Sequence, residues 1–207
     1  MRIFDISWPI SPAMTTYKNR KDITFAENKV FDRDGVRDSS ICINTHTGTH
    51  VDAPSHFLKD GKTIDQITLD RLVGKALVID CTRCIDSIDE NDLKKQDIQP
   101  GDIVLLRTQN SALDPQVSFE GGFVYLDQSG ASFLAQKQVK AVGIDYLGIE
   151  RGNPEHPTHT TLMHADSIII EGLRLAHVPA GIYFMVCLPL ALIGLEAAPA
   201  RAILMAE

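Results

Sequence analysis

His46-Thr47-Gly48-Thr49-His50-Val51-Asp52-Ala53-Pro54-Ser55-His56-Phe57 sets three imidazoles and a carboxylate into eleven positions, all at even spacing. Neutral imidazoles and carboxylates are ligands of Zn²⁺ and Mn²⁺, whereas Ca²⁺ takes mostly oxygen donors. The stretch holds no cysteine, which disfavours a closed structural zinc site. Upstream, Ser39-Ser40-Ile41-Cys42-Ile43-Asn44-Thr45 alternates apolar with polar residues, so the motif is expected on the end of a strand. At a rise of about 3.3 Å per residue, a straight strand would hold His46 and His50 roughly 13 Å apart, too far to share one ion. The chain must therefore bend. Gly48 can take positive φ without a Cβ penalty, and Pro54 stops regular pairing beyond the last candidate ligand. Any one of these histidines could be a strand or loop residue satisfied by local hydrogen bonds. The cluster as a whole points to a site.

A second cluster, Glu155-His156-Pro157-Thr158-His159-Thr160-Thr161-Leu162-Met163-His164, precedes the apolar strand 167–170, which delivers Glu171. A carboxylate at the end of such a strand is costly to bury without a partner, and a metal is one such partner. Spacing alone leaves His156, His159 and His164 equally eligible.

Working outward, 75–81, 103–108 and 140–145 are further apolar strands, of which 103–108 is too continuously apolar to be half exposed. Helical patterns at 65–73, 89–95 and 127–138 alternate with them, which indicates α/β. A strand opens the chain at 1–7, and another at 23–31 leads through the turn 32–35 into the metal-bearing strand. Strands at 181–186 and 200–204 close the chain, and their apolar segment suggests no chemistry. The uncharged stretch 178–195 is broken by Pro179, Gly181, Pro189 and Gly194, so it reads as two buried segments around a turn rather than a membrane span. Neither a repeat nor a linker divides residues 1–207, and a single domain is expected.

The chain has 27 acidic and 20 basic residues, a net charge of −7 and no basic run. That argues against nucleic acid and anionic membrane as partners and favours a small-molecule substrate. The first strand leaves no room for a signal peptide, so a cytoplasmic location is expected. Four cysteines imply reduced thiols, and Cys81-Thr82-Arg83-Cys84 reads as strand-end packing. Gly121-Gly122 lacks the lysine of a phosphate-cradling loop. Of the aromatic residues near the start, Trp8 reads as core and Tyr17 as a candidate for contacting a substrate ring.

His46 to His56 also resembles, at every fixed position, the His-x-Gly-Thr-His-x-Asp-x-Pro-x-His signature of the bacterial cyclase-like metal hydrolases, a family that includes the kynurenine formamidases. The resemblance runs over nearly the whole chain. It implies a mixed-sheet α/β domain in a layered β/β/α, swivelling-domain-like arrangement, and a homodimer. It implies that His46, His50 and Asp52 hold one metal and that Asp52, His159 and Glu171 hold a second, with both carboxylates bridging. His159 is singled out because the family has a histidine twelve positions before the glutamate. His156 and His164 then read as ordinary polar residues. His56 matches the family's proton donor and acceptor, the alternative being a ligand or a partner of one. Two Zn²⁺ ions are the expected cofactors, with Mn²⁺ as the alternative. The implied reaction is amide hydrolysis, with N-formylkynurenine as the leading substrate and another amide or a lactam such as isatin as the alternative. A metal-binding protein without turnover is the reading from a different class. Tyr17-Lys18-Asn19-Arg20 stands where the formamidases carry Trp-Pro-Gly-Asp, and this departure bears on the substrate more than on the chemistry.

Overall fold

The continuously apolar runs become neighbouring strands because both of their faces are covered. The computed structural model describes residues 1–206. Along the chain come β1 (Arg2–Asp5), β2 (Thr24–Lys29), the helical turn α1 (Phe31–Asp34), β3 (Asp38–Cys42), β4 (His50–Asp52), β5 (Val73–Asp80), β6 (Ser87–Ile88) and α2 (Glu90–Leu93). They are followed by β7 (Ile103–Arg107), β8 (Tyr125–Leu126), α3 (Gln128–Gln136), β9 (Ala141–Ile144), α4 (Pro157–His164), β10 (Ile168–Glu171), β11 (Gly181–Pro189) and β12 (Ala197–Ala206). The main sheet runs β1-β12-β11-β5-β7-β9-β10-β4, and β4 also pairs with β12, so this mixed α/β sheet closes on itself like a barrel. The β5-β7-β9-β10 portion is parallel and the remaining pairs are antiparallel.

Period-two alternation explains the burial. Ile103, Leu105, Ile168 and Ile170 join Val51 in one core cluster, while the intervening Val104, Leu106 and Ile169 join Leu134 of α3 and Leu162 of α4 in another. A strand covered on both faces reads as continuously apolar. Asp127 caps α3 by accepting from the Gly130 N–H, and Asp89 caps α2 from Asn91 and Asp92.

Several local expectations are corrected. The expected helix at 65–73 is instead two 3₁₀ turns, Ile64–Gln66 and Leu69–Arg71. Thr63 and Gln66 close a capping box on the first turn, and Ile67 and Leu72 reach the core from the two separate turns while Leu69 stays 55% exposed, so no continuous helical stripe forms. The strand before the metal motif ends at Cys42 and pairs only with β2, leaving His46 in a turn where its N–H donates to Asn44 Oδ1 at 2.9 Å. The second early strand stops at Lys29, and α1 follows, ended by Gly35 at φ 66°. The stretch 178–195 contains β11, but Ile182, Phe184 and Leu188 on one of its faces are exposed. Trp8 is buried, as read from the sequence. All four cysteines are free; burial pushes the Cys84 thiol up to about 11 and the Cys81 thiol higher still, so neither is a ready nucleophile.

Candidate metal centre

The antiparallel register of β4 and β10 assembles the first donors. Glu171 stands opposite His50 and Ile169 opposite Asp52. Val51 faces the interior cluster, so His50 and Asp52 point to the opposite side, with Glu171. Gly48, at φ 62°, supplies the expected bend, and Pro54 opens the 3₁₀ turn Pro54–His56 that carries His56 out of the ladder. The second cluster, in which the sequence suggested no helix, forms α4 with Pro157 at its first turn, and α4 brings His159 over β10.

All five expected ligands meet at this place. His50 Nε2 lies 3.5 Å from Asp52 Oδ1 and 3.4 Å from Glu171 Oε2, and His159 Nε2 lies 3.4 Å from Glu171 Oε1. His46 Nδ1 is 3.0 Å from Asp52 Oδ1. Donor atoms within 4.8 Å of one another form the groups His50-Asp52-Glu171 and His46-Asp52-His56, joined through Asp52, and a third, Glu150-His156-His159, which meets the first where His159 approaches Glu171. The grouping places His56 beside His46, whereas the resemblance paired His46 with His50.

The donor set fits a divalent metal. His50 Nε2 and both Asp52 oxygens are buried without a hydrogen-bond partner, a costly state unless something else pairs with them. Ligand bonds of about 2.1 Å at a tetrahedral angle hold neighbouring donor atoms about 3.4 Å apart, which matches the 3.4 and 3.5 Å separations around His50, Asp52, His159 and Glu171. The imidazoles are also oriented for ligation. His50 Nδ1 donates to the Gly48 carbonyl at 2.9 Å and His159 Nδ1 to Glu150 Oε2 at 2.7 Å, so each turns Nε2 toward the carboxylates.

Electrostatics follow from this packing. Burial lowers the His50 pKa, but the nearby carboxylates of Glu171 and Asp52 outweigh it and raise it to about 9. The same balance, with Glu150 and Glu171 as partners, raises His159 to about 10. Burial favours the neutral form of Glu171, yet His159 and His50 hold its carboxyl well below the usual range. Burial likewise opposes ionisation of Asp52, and the nearby His46 and His50 still draw its pKa down. Without metal, protonated imidazoles thus neutralise the carboxylates. His56 is the exception, its pKa lowered by burial and by the charges of His46 and His159.

Two carboxylates at the centre were missed from sequence. Glu150, just after β9, accepts from the backbone N–H of Thr158 and from His159 Nδ1. Glu196, immediately before β12, comes within 3.4 Å of His46 Nε2 because β12 pairs with β4, which corrects the reading that the closing segment carries no chemistry. His156, at φ 49°, precedes the first turn of α4 without a side-chain capping bond and lines the pocket 3.8 Å from Glu150, whereas His164 is exposed at the far end of the helix. A cavity of about 240 Å³ opens beside the donors and is lined by His46, His56, His159 and Glu171 at one end and by Tyr17. Tyr17 meets Phe119 edge to face at 5.0 Å.

A closed mixed sheet carrying a buried histidine-carboxylate centre at one strand junction defines the class. Residues 4–151 match the family model Cyclase, described as "Putative cyclase". Kynurenine formamidase of Salinibacter ruber is 32% identical over 207 residues, spanning 99% of this chain and 97% of its own. A solved "predicted metal-dependent hydrolase from Bacillus stearothermophilus" is 44% identical, with a TM-score of 0.89 over 98% of this chain and 97% of that one. Isatin hydrolase A of Ralstonia solanacearum, at 23% identity, a TM-score of 0.85 and coverage of 100% and 92%, shares the fold. The chain belongs to the cyclase family. His159 and Glu171 lie beyond the matched 4–151, within the full-length similarity to the S. ruber protein.

Proposed function

We propose that the protein is a metal-dependent amide hydrolase, with N-formylkynurenine, cleaved to kynurenine and formate, as its leading substrate. The observation that carries the reading is the set of buried, unpartnered donor atoms on His50 and Asp52 beside an open pocket. A centre with an accessible cavity suits turnover better than a closed structural site does. Two Zn²⁺ ions, or Mn²⁺, would be held by His46, His50, Asp52, His159 and Glu171, and would supply ionised water at neutral pH and polarisation of the carbonyl.

The chain's own residues do the rest. Expelling an aryl amine requires protonation of the nitrogen as the C–N bond breaks. His56 stands at the pocket with a lowered pKa, so it is neutral near pH 7 and can take a proton from the attacking water and pass it on. Tyr17 supports the aromatic ring. A cavity of about 240 Å³ suits a single substituted ring, since benzene fills an apolar cavity of about 150 Å³. The departure at Tyr17-Lys18-Asn19-Arg20 favours a second reading, hydrolysis of another amide or a lactam such as isatin.

We also read the closed sheet, with α3 and α4 on one outer face, as the layered β/β/α arrangement, and the protein as a cytoplasmic homodimer. The dimer is supported by an exposed apolar row in which Ile3 and Phe184 flank Met205 across β1, β12 and β11. No helix among the described residues is long and apolar enough to cross a membrane.

The test is elemental analysis of the purified protein together with N-formylkynurenine hydrolysis before chelation, after it, and after metal restoration. Bound metal with chelator-sensitive turnover supports the proposal. Metal without turnover of this substrate redirects the search to other amides and lactams. A folded protein that takes up no metal and stays inactive refutes it.

A further inference from the structure

The amide-hydrolase reading places the scissile bond at the histidine end of the pocket, and the other end carries charges that this chemistry leaves unused. Lys18 and Arg20 line the mouth beside Tyr17. Both are exposed, and among the described residues neither forms an ion pair, whereas Arg71, Lys75, Arg107, Arg151 and Arg201 all do.

The segment that presents them is a built turn. Thr16 Oγ donates to the Arg20 carbonyl at 2.5 Å, and the Phe119 N–H donates to Asn19 Oδ1 at 2.7 Å, tying both sides of the turn down. Lys18 and Asn19 are held in the left-handed region at φ 53° and 57°, a conformation that non-glycine residues keep only where the surroundings enforce it. The result gathers both cations at the Tyr17 ring, Lys18 Nζ at 5.1 Å and Arg20 Cζ at 5.8 Å from its centroid. Asp22 lines the same mouth and offsets one of the two charges. The deeper acids Glu150 and Glu171 are engaged by His159. The mouth is therefore net cationic on a chain whose net charge is −7.

We propose that Lys18 and Arg20 form an anion subsite that selects aromatic amides carrying a carboxylate at the end remote from the scissile bond. The orientation rests on the hydrolase reading; the anion contact does not. The substrate ring lies against Tyr17, its amide reaches the histidine cluster, and its carboxylate meets the two cations. A neutral lactam would leave the subsite empty.

Metal-loaded protein is assayed with 4-formamidobenzoate and its neutral counterpart 4-formamidobenzamide. The kcat/KM ratio favours the carboxylate by about tenfold at low salt, mostly through KM, and shrinks as ionic strength rises. In K18Q/R20Q the ratio falls toward one, in K18E/R20E it inverts, and in D22N it increases. A ratio near one in the unaltered protein, or one that survives K18Q/R20Q, overturns the subsite. Fluorescence titration with 4-aminobenzoate and 4-aminobenzamide separates the two readings. If neither amide is hydrolysed but the acid binds more tightly and loses that advantage in K18Q/R20Q at unchanged metal content, the reading as a hydrolase of such aryl amides falls and the subsite stands. If the acid's advantage persists in K18Q/R20Q, the anion is held by the metal centre and the subsite is refuted.

Discussion

Gly172 lies so close to Gly48 that a Cβ built on it would collide with the Gly48 carbonyl. Both glycines are left-handed, at φ 69° and 62°, and Thr49 Oγ donates to the Gly172 carbonyl at 2.5 Å between them. This contact seats the bend that carries His50 on the end of β10, where Glu171 emerges. Gly172→Ala is expected to cost about 3 kcal/mol or more, from the clash together with positive φ. Urea denaturation should show the loss, and metal content should fall with it; full stability would mean that the contact can relax.

His56→Ala tests the proton-transfer role apart from ligation. Metal content should stay unchanged while turnover falls about 10²- to 10⁴-fold. A parallel loss of metal would instead make His56 a ligand, as its grouping with His46 and Asp52 allows.

Glu150 positions His159 through a 2.7 Å contact to Nδ1. In Glu150→Ala the imidazole loses its orienting partner, and affinity for the metal should drop about 10- to 100-fold. Competition against a chromophoric chelator measures this, and saturating metal should restore most of the activity. An unaltered affinity would reduce Glu150 to a helix-terminus acceptor.

The pH dependence of the metal-free fold has a definite sign. His50 and His159 are raised to about 9 and 10, above an unfolded value near 6.5, so their contribution is full below pH 6.5 and is lost as pH rises through 9 to 10. Asp52 and Glu171 are lowered, so theirs is present above the ordinary carboxylate range and is lost as pH falls. Chelated protein should melt at a lower temperature at pH 9 than at pH 6. Metal must displace the imidazole protons, so its affinity should rise over the same interval. Equal melting temperatures for chelated protein at both pH values would contradict the assigned shifts.

Legibility in the sequence followed burial. The strand at 103–107 could be read because both faces are covered, and Gly48 and Pro54 could be read because bending the ligand stretch demanded them. The turns at 64–71 could not, since the Thr63-Gln66 hydrogen bonding closes the first turn and Ile67 and Leu72 reach the core without a continuous helix. His50, Asp52, His159 and Glu171 come together through the β4-β10 register and the placement of α4, which ligand chemistry and the family signature anticipated without specifying. Glu196 was out of reach, because only the pairing of β12 with β4 puts it beside His46. Glu150 left a fainter signal, an acid following the apolar strand Ala141–Ile144 and the segment Tyr146-Leu147-Gly148-Ile149.

β12 has a consequence for biosynthesis. It lies far along the chain from both of its partners, yet it flanks β4 through Ala197, Ala198 and Pro199 and holds β1 through Ile203 to Ala206. A chain still threading the ribosome with these residues in the exit tunnel has synthesised every expected ligand but cannot close the wall behind His50 and Asp52. The wall behind the centre therefore closes only after residues 197–206 have been made, and truncation near residue 197 would yield a chain with all its expected ligands and no vessel to hold them.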